Sequence, residues 1–178
     1  MQIMQSAKER LRLAVRDVQD FPKDGVVFKD ITPIIEDAQL FRLTVTVFAD
    51  HYKRKNIEQI VAIDARGFLC GSALAYVLGT GISVVRKKGK LPYKTISTSY
   101  DLEYGFNTVE MHVDSIKKNQ RVLVIDDVLA TGGTAKAAIS LVQQLGGHVV
   151  EAAFLMELEF LNGKEAIAPT PCYSIIKY

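Results

Sequence analysis

Apolar positions in the first 55 residues recur mostly three and four apart, whereas from residue 59 onward they gather into short runs between polar stretches. Ala7, Leu11, Val15 and Val18 share one helical face, so the spacing predicts a helix to about Asp20. Ser6 and Glu9 stand three apart at its start and fit a capping box, each side chain satisfying the other's free amide. Phe21-Pro22 ends it. From Pro22 to Pro33, Val26, Val27, Phe28 and Ile31 make the chain too apolar for a solvated linker, so it should lie against the rest. A second helix is predicted from about Asp37 to Lys55, with Leu40, Leu43, Val47 and His51 along one stripe.

A regular alternation follows. Gln59 to Ile63 reads as a strand, Phe68 to Leu78 as a helix and Ile82 to Arg86 as a strand. Lys87 to Thr98 is basic and polar, and Thr108 to Val113 alternates like a strand with one wet face. Arg121 to Asp126 is a continuous apolar strand, Gly133 to Leu145 a helix and Val149 to Met156 another strand. A short helix near Asn162 to Ala166 and a strand from Cys172 to Ile176 complete the pattern. Continuous apolar strands alternating with helices predict an α/β fold whose sheet is mostly parallel and covered on both faces.

Composition narrows the partners. The chain has 178 residues, a length that suits a single domain, 1–178. Twenty-two Lys and Arg against 20 Asp and Glu leave a net charge of +2, too balanced for a nucleic-acid footprint by charge alone. Phosphate chemistry must then come from a local arrangement. Cys70 and Cys172 stand apart from any Cys-x-x-Cys pattern and read as small buried hydrophobes. No apolar run approaches the roughly 18 residues of a membrane helix, and Met1 to Arg10 lacks the apolar core of a signal peptide. The expectation is a cytoplasmic protein without a membrane partner. His51, His112 and His148 show no ligand spacing and read as structural or surface residues.

The densest chemistry lies in Val122-Leu123-Val124-Ile125-Asp126-Asp127-Val128-Leu129-Ala130-Thr131-Gly132-Gly133-Thr134. A buried strand delivers two carboxylates and then a small-residue turn enters a helix, the place where open α/β sheets bind ligands. Ala130 to Thr134 offers unhindered amides, two hydroxyls and a positive helix end, which suit a phosphate dianion. The acidic pair cannot favour phosphate, so it should face a sugar diol or a cation. A tight turn whose glycines only permit close packing explains the Gly-Gly pair but not two ionisable side chains ending a buried strand. The P-loop and dinucleotide patterns both fail, for want of a Lys after Gly-Gly and of Gly-x-Gly-x-x-Gly.

This segment resembles the ribose-phosphate signature of the type I phosphoribosyltransferases. Four further segments, in the family's order and spacing, narrow the resemblance to the adenine phosphoribosyltransferase family. They are Phe21 to Pro33 (FPKDGVVFKDITP), Asp64-Ala65-Arg66-Gly67-Phe68, Arg86 to Pro92 (RKKGKLP) and Tyr100 to Gly105 (YDLEYG). The resemblance covers nearly the whole chain. It implies a twisted, mostly parallel sheet with helices on both faces, plus a small hood from about residues 1–35 and a mobile catalytic loop over about 90–104. The implied reaction joins adenine to 5-phosphoribosyl 1-pyrophosphate, giving AMP and pyrophosphate, with Mg²⁺ bound mainly through substrate and water and a homodimer as the working unit.

Roles follow from the same resemblance. Asp126 and Asp127 would hold the ribose hydroxyls, and Ala130, Thr131, Gly132, Gly133 and Thr134 would cradle the 5′-phosphate. Asp64, Ala65 and Arg66 would meet pyrophosphate, although the family often has Glu where this chain has Asp64. Arg86, Lys87 and Lys90 would neutralise pyrophosphate, with Arg86 reaching across the dimer interface. Taken alone, Arg66 reads as a surface ion pair and the basic cluster as a solvated loop. Phe28 would stack on adenine with Leu158 on its other face, while the Val27 and Lys29 backbone reads the base edge. Core packing is the plain alternative for Phe28 and Leu158. Glu103 would be the catalytic acid. A 6-oxopurine enzyme would need a donor to the purine oxygen, whereas the Leu-Glu-Tyr-Gly and Val-Val-Phe segments favour adenine. A non-catalytic regulator of the same fold would be expected to carry a DNA-binding domain as well, for which 178 residues leave no room.

Overall fold

A computed structural model describes residues 2–101 and 106–178. Helix α1 (Gln2–Ala14) leads into strand β1 (Arg16–Gln19), which pairs antiparallel with β2 (Val27–Asp30) in a two-stranded hairpin. Helices α2 (Thr32–Glu36) and α3 (Ala38–Tyr52) follow. Then come β3 (Gln59–Ile63), α4 (Gly67–Leu78), β4 (Gly81–Lys87), β5 (Thr95–Asp101) and β6 (Phe106–His112). The chain continues through β7 (Arg121–Leu129), α5 (Gly133–Gln144), β8 (His148–Glu157), α6 (Gly163–Ala166) and β9 (Cys172–Lys177). The large sheet has the order β5-β6-β4-β3-β7-β8-β9. It is parallel from β4 to β9 and antiparallel at the β6 and β5 margin.

The buried runs explain this layering. Successive side chains of a strand point to opposite faces. Accordingly Leu123 and Ile125 join Leu11, Phe48 and Leu74 in a cluster on one side of the sheet. Val122 and Val124 join Leu141, Val142 and Phe154 on the other. Strands covered on both faces carry no polar alternation, which is why β3 and β7 read as unbroken apolar runs.

Four expectations need correction. The first helix stops at Ala14, and residues 16–19 are strand instead. Val18 pairs with Phe28, and the ends are clamped by Arg16 on Asp30, so a distant partner overrides the helical spacing. Ser6 lies inside α1 rather than at its cap. In α3 the buried face is centred on Thr44, Phe48 and Tyr52, about one residue round from the expected stripe. Within the stretch anticipated as a loop over about 90–104, Thr95–Asp101 is strand β5, its backbone paired with β6 and its Ile96 and Tyr100 packed on the core, while residues 102–104 lie outside the described residues.

Candidate active site

A cavity of about 660 Å³ opens at the carboxyl ends of β3, β4, β7 and β8, within the size range of small-molecule sites. It draws together residues that are far apart in sequence. From the hairpin come Val27, Phe28 and Lys29; after β3, Asp64, Ala65 and Arg66; from β4, Arg86 and Lys87. Asp126, Asp127, Ala130 and Thr134 follow from β7 and the turn into α5, and Leu158 from the end of β8. Thr131, Gly132 and Gly133 shape that turn without lining the cavity, and Lys90 lies outside the lining as well. Glu103 lies outside the described residues.

The acidic pair sits deep. Asp127 is 5% exposed, and Asp126 Oδ1 accepts from the Asp127 amide at 2.8 Å. Burial and the adjacent Asp127 charge push the Asp126 carboxyl well above the usual carboxylate range, with Arg66 only partly opposing. Burial likewise raises Asp127 against the pull of Arg66. Arg66 Nε lies 2.6 Å from Asp127 Oδ2, yet that oxygen has no partner of hydrogen-bond geometry. Arg66 offsets only part of the pair's charge, and the pair stays short of donors, a condition a ligand hydroxyl would relieve. Close packing holds it there. A Cβ on Gly67 would stand 2.9 Å from both Asp126 Oδ1 and the Ile125 carbonyl, so only glycine lets α4 approach β7.

Past β7 the turn reverses through Gly132, whose φ of +83° is a glycine conformation; a Cβ there would also meet the Gly163 carbonyl at 2.5 Å. No side chain caps α5 at Gly132, so the first-turn amides keep their donors. The Thr134 hydroxyl donates to Tyr100 Oη at 2.8 Å, and a Cβ on Gly133 would meet the Tyr100 ring at 2.9 Å. Tyr100 thus lies on the turn and lines the cavity. Tyr100 opens the Tyr100 to Gly105 motif and has no role there; an aromatic residue three positions before Glu103 in sequence is the signal that marks it.

At the ends of β3 and β4, the Asp64–Ala65 peptide is cis. Arg86 Nε donates to Asp64 Oδ2 at 3.0 Å and its Nη1 to the Lys90 carbonyl at 3.3 Å. Arg86 lines the cavity of its own chain. Asp64 acts here as its anchor.

At the other end, Phe28 meets Phe21 edge-on at 5.2 Å, and the Arg66 guanidinium lies 5.8 Å from its ring centre. The Lys29 ammonium is engaged by Asp17 at 2.7 Å and lies over the Tyr178 ring, which leaves the Lys29 backbone as what it offers a ligand. Leu158 is fixed through its amide on the Leu129 carbonyl at 2.9 Å. Cys70 is no nucleophile: burial, then the charges of Asp127 and Asp126, push its thiol up to about 12.

Comparison with known proteins agrees with this layout. Residues 35–170 match the phosphoribosyl transferase domain family. An adenine phosphoribosyltransferase from Methylacidiphilum infernorum is 50% identical over 176 residues, covering 99% of this chain and 98% of its own. The crystal structure of adenine phosphoribosyltransferase from Thermoanaerobacter pseudethanolicus superposes with a TM-score of 0.93 at 44% identity, covering 96% of this chain and 99% of that one. The Saccharomyces cerevisiae enzyme, solved with an imino-altritol bisphosphate and adenine, gives 0.91 at 36% identity, over 96% and 99% of the two chains. With the acidic pair, the glycine turn and both arginine-bearing segments meeting in one cavity, the chain belongs to the adenine phosphoribosyltransferase family.

Proposed function

We propose that the protein makes AMP and pyrophosphate from adenine and 5-phosphoribosyl 1-pyrophosphate, a purine-salvage glycosyl transfer. One observation carries this reading: a single cavity holds a donor-poor carboxylate pair, an uncapped helix start, two arginine-bearing segments and an apolar aromatic wall. Asp126 and Asp127 accept the ribose hydroxyls. The turn from Ala130 to Thr134 takes the 5′-phosphate, with the Thr134 hydroxyl turning from Tyr100 to the anion. Arg66, Arg86, Lys87 and Lys90 hold the pyrophosphate, with Asp64 and Ala65 forming the turn beneath it. Phe28 and Leu158 sandwich the purine, and the Val27 and Lys29 backbone reads its edge.

During transfer the bond from the anomeric carbon to the pyrophosphate oxygen breaks as a purine nitrogen bonds to that carbon. The bonding electron pair leaves with the pyrophosphate oxygen, and the imidazole proton shed by the purine passes to the departing pyrophosphate. Glu103 serves by donating a hydrogen bond to the other imidazole nitrogen, so that the correct nitrogen attacks. Among the described residues no three His, Cys, Asp or Glu side chains converge on a metal-sized site. Asp126, Asp127 and Asp64 line the cavity and would hold, through water, an Mg²⁺ carried in by the sugar pyrophosphate. When bound, that ion neutralises charge on the leaving pyrophosphate.

The assembly proposed is a homodimer. Exposed Leu69, Tyr76 and Val77 on α4 support it, and Tyr76 is 89% exposed. Two free thiols, Cys70 and Cys172, support a cytoplasmic setting, and no helix among the described residues is long and apolar enough to cross a membrane. Incubation with the sugar pyrophosphate and radiolabelled adenine, hypoxanthine or guanine should label only AMP. Labelled IMP or GMP would make it a 6-oxopurine enzyme, and no nucleotide with any base would leave a ligand-sensing role.

A further inference from the structure

We propose that Glu110 is a positioning residue for the pyrophosphate end of the site, orienting Arg86 through the Lys87–Leu91 turn. The inference rests on the reading that this cavity takes a sugar pyrophosphate. Glu110 lies on β6, 4% exposed, and is absent from the cavity lining. It stands directly across from Arg86 in the β4–β6 ladder, so both side chains leave the same face. Such a pair would ordinarily form an ion pair, but the fold routes their charges elsewhere. Glu110 Oε1 accepts the Lys90 amide at 3.0 Å and the Leu91 amide at 3.1 Å, and Oε2 accepts the Thr95 hydroxyl at 3.2 Å. Arg86 points its Nε to Asp64 and its Nη1 to the Lys90 carbonyl.

The geometry has a clear logic. The turn passes through Gly89 at φ +83° and is closed by the Lys90 amide on the Lys87 carbonyl at 3.2 Å. Once Glu110 draws in the Lys90 and Leu91 amides, the Lys90 carbonyl is left facing the Arg86 guanidinium. Arg86 is then held at two points, one on each side, while its remaining donors stay free for an anion. Burial alone would raise the Glu110 carboxyl, but the amides of Leu91, Lys90 and Gly89 and the Thr95 hydroxyl outweigh it and keep it below the usual range. It is therefore a fixed anion, not a titrating one, at neutral pH. A simple structural glutamate would stabilise the sheet margin without affecting one substrate over another; a positioning residue acts selectively.

Calorimetric titrations of pyrophosphate and of AMP into wild type, E110Q, E110A, R86A and E110A/R86A separate these cases. E110A should weaken pyrophosphate binding about tenfold, as loss of an outer-shell partner does elsewhere, while AMP affinity stays within about twofold. E110Q keeps one carbonyl acceptor and should fall between. In the double variant the E110A effect should vanish, because the two residues act through one element. A folded E110Q or E110A that binds pyrophosphate like wild type would overturn the inference. So would equal losses of pyrophosphate and AMP, or an additive double variant. If wild type binds neither ligand, the enzymatic reading itself fails, and that outcome is read from the unmutated protein alone.

Discussion

Asp30 and Asp126 both lie on strands that wall the cavity, yet the fold moves their carboxyls in opposite directions. Asp30 receives the Thr32 hydroxyl at 2.6 Å, the Thr32 amide at 2.9 Å and Arg16 Nε at 3.0 Å. Those donors, the Thr32 hydroxyl foremost, lower it to about 2 despite some burial. Asp126 has the Asp127 amide and little else, beside a second carboxylate, and burial raises it. The saturated carboxylate fastens the hairpin that carries Phe28. The starved pair at β7 keeps acceptor capacity unused, at the expense of the unliganded fold. Donor count thus separates the carboxylate that holds the structure from the pair proposed to hold substrate.

The comparison breaks most visibly in ligand binding. Replacing Asp126 and Asp127 together with Asn should remove about 1.5–3 kcal/mol per charged acceptor from sugar-pyrophosphate binding, measured by calorimetry, while adenine's own binding changes little. Normal sugar-pyrophosphate binding by a folded double variant would remove the pair from the site.

Next in size is Asp30→Ala, which should destabilise the chain by about 1.5–3 kcal/mol, since Arg16 and Thr32 lose a charged acceptor. Its pH dependence has a definite sign. With a folded pKa of about 2 against an ordinary 3.8, the Asp30 contribution is complete above about pH 5 and fades as pH falls toward 2. Urea midpoints of wild type and variant should therefore converge in acid. Asp126 should behave oppositely. Between 3.8 and its raised value the folded chain binds more protons than the unfolded one, so its share of stability declines as pH rises through that window. Asp126→Asn should consequently raise the melting temperature of the ligand-free protein at pH 7. A drop there would show that the pair stabilises the fold and would erase the contrast.

How much of this could be read from the sequence depended on whether the determining contacts were local. Gln59 to Ile63 has the same bounds as the strand in the structure because its continuous apolar run needs only burial on both faces. The turn from Asp126 to Thr134 was equally legible, since glycines, carboxylates and helix start are contiguous. The hairpin was not: β1 exists only through β2, and nothing between Val15 and Gln19 announces its partner eight or more residues on. Glu110 was invisible for the same reason, as its ligands are amides, which carry no sequence signature. The motif around Arg86 implies a pyrophosphate role, but its anchorage on Asp64 depends on two strand ends meeting. Tyr100 was masked by an expected loop that is strand.

The smallest effect extends the contrast to the surface. Lys29 on Asp17 is also an anchoring pair, its partners 20% and 49% exposed. Water competes for both charges, and exposed pairs of this kind are worth roughly 0–1 kcal/mol. The ammonium also lies 4.5 Å from the Tyr178 ring centre, which adds about 0.5–1 kcal/mol at an exposed site. Lys29→Ala should therefore lower stability by about 1 kcal/mol, with the loss shrinking as salt screens the pair. Because the side chain is already occupied away from the base, the KM for adenine should shift by less than about twofold; a tenfold change corresponds to about 1.4 kcal/mol of lost contact. Steady-state assays with adenine varied at saturating sugar pyrophosphate read this directly. A rise of tenfold or more, with stability unchanged, would mean that the Lys29 ammonium leaves Asp17 for the ligand. It would then belong with the residues that serve substrate, not with those that fasten the hairpin.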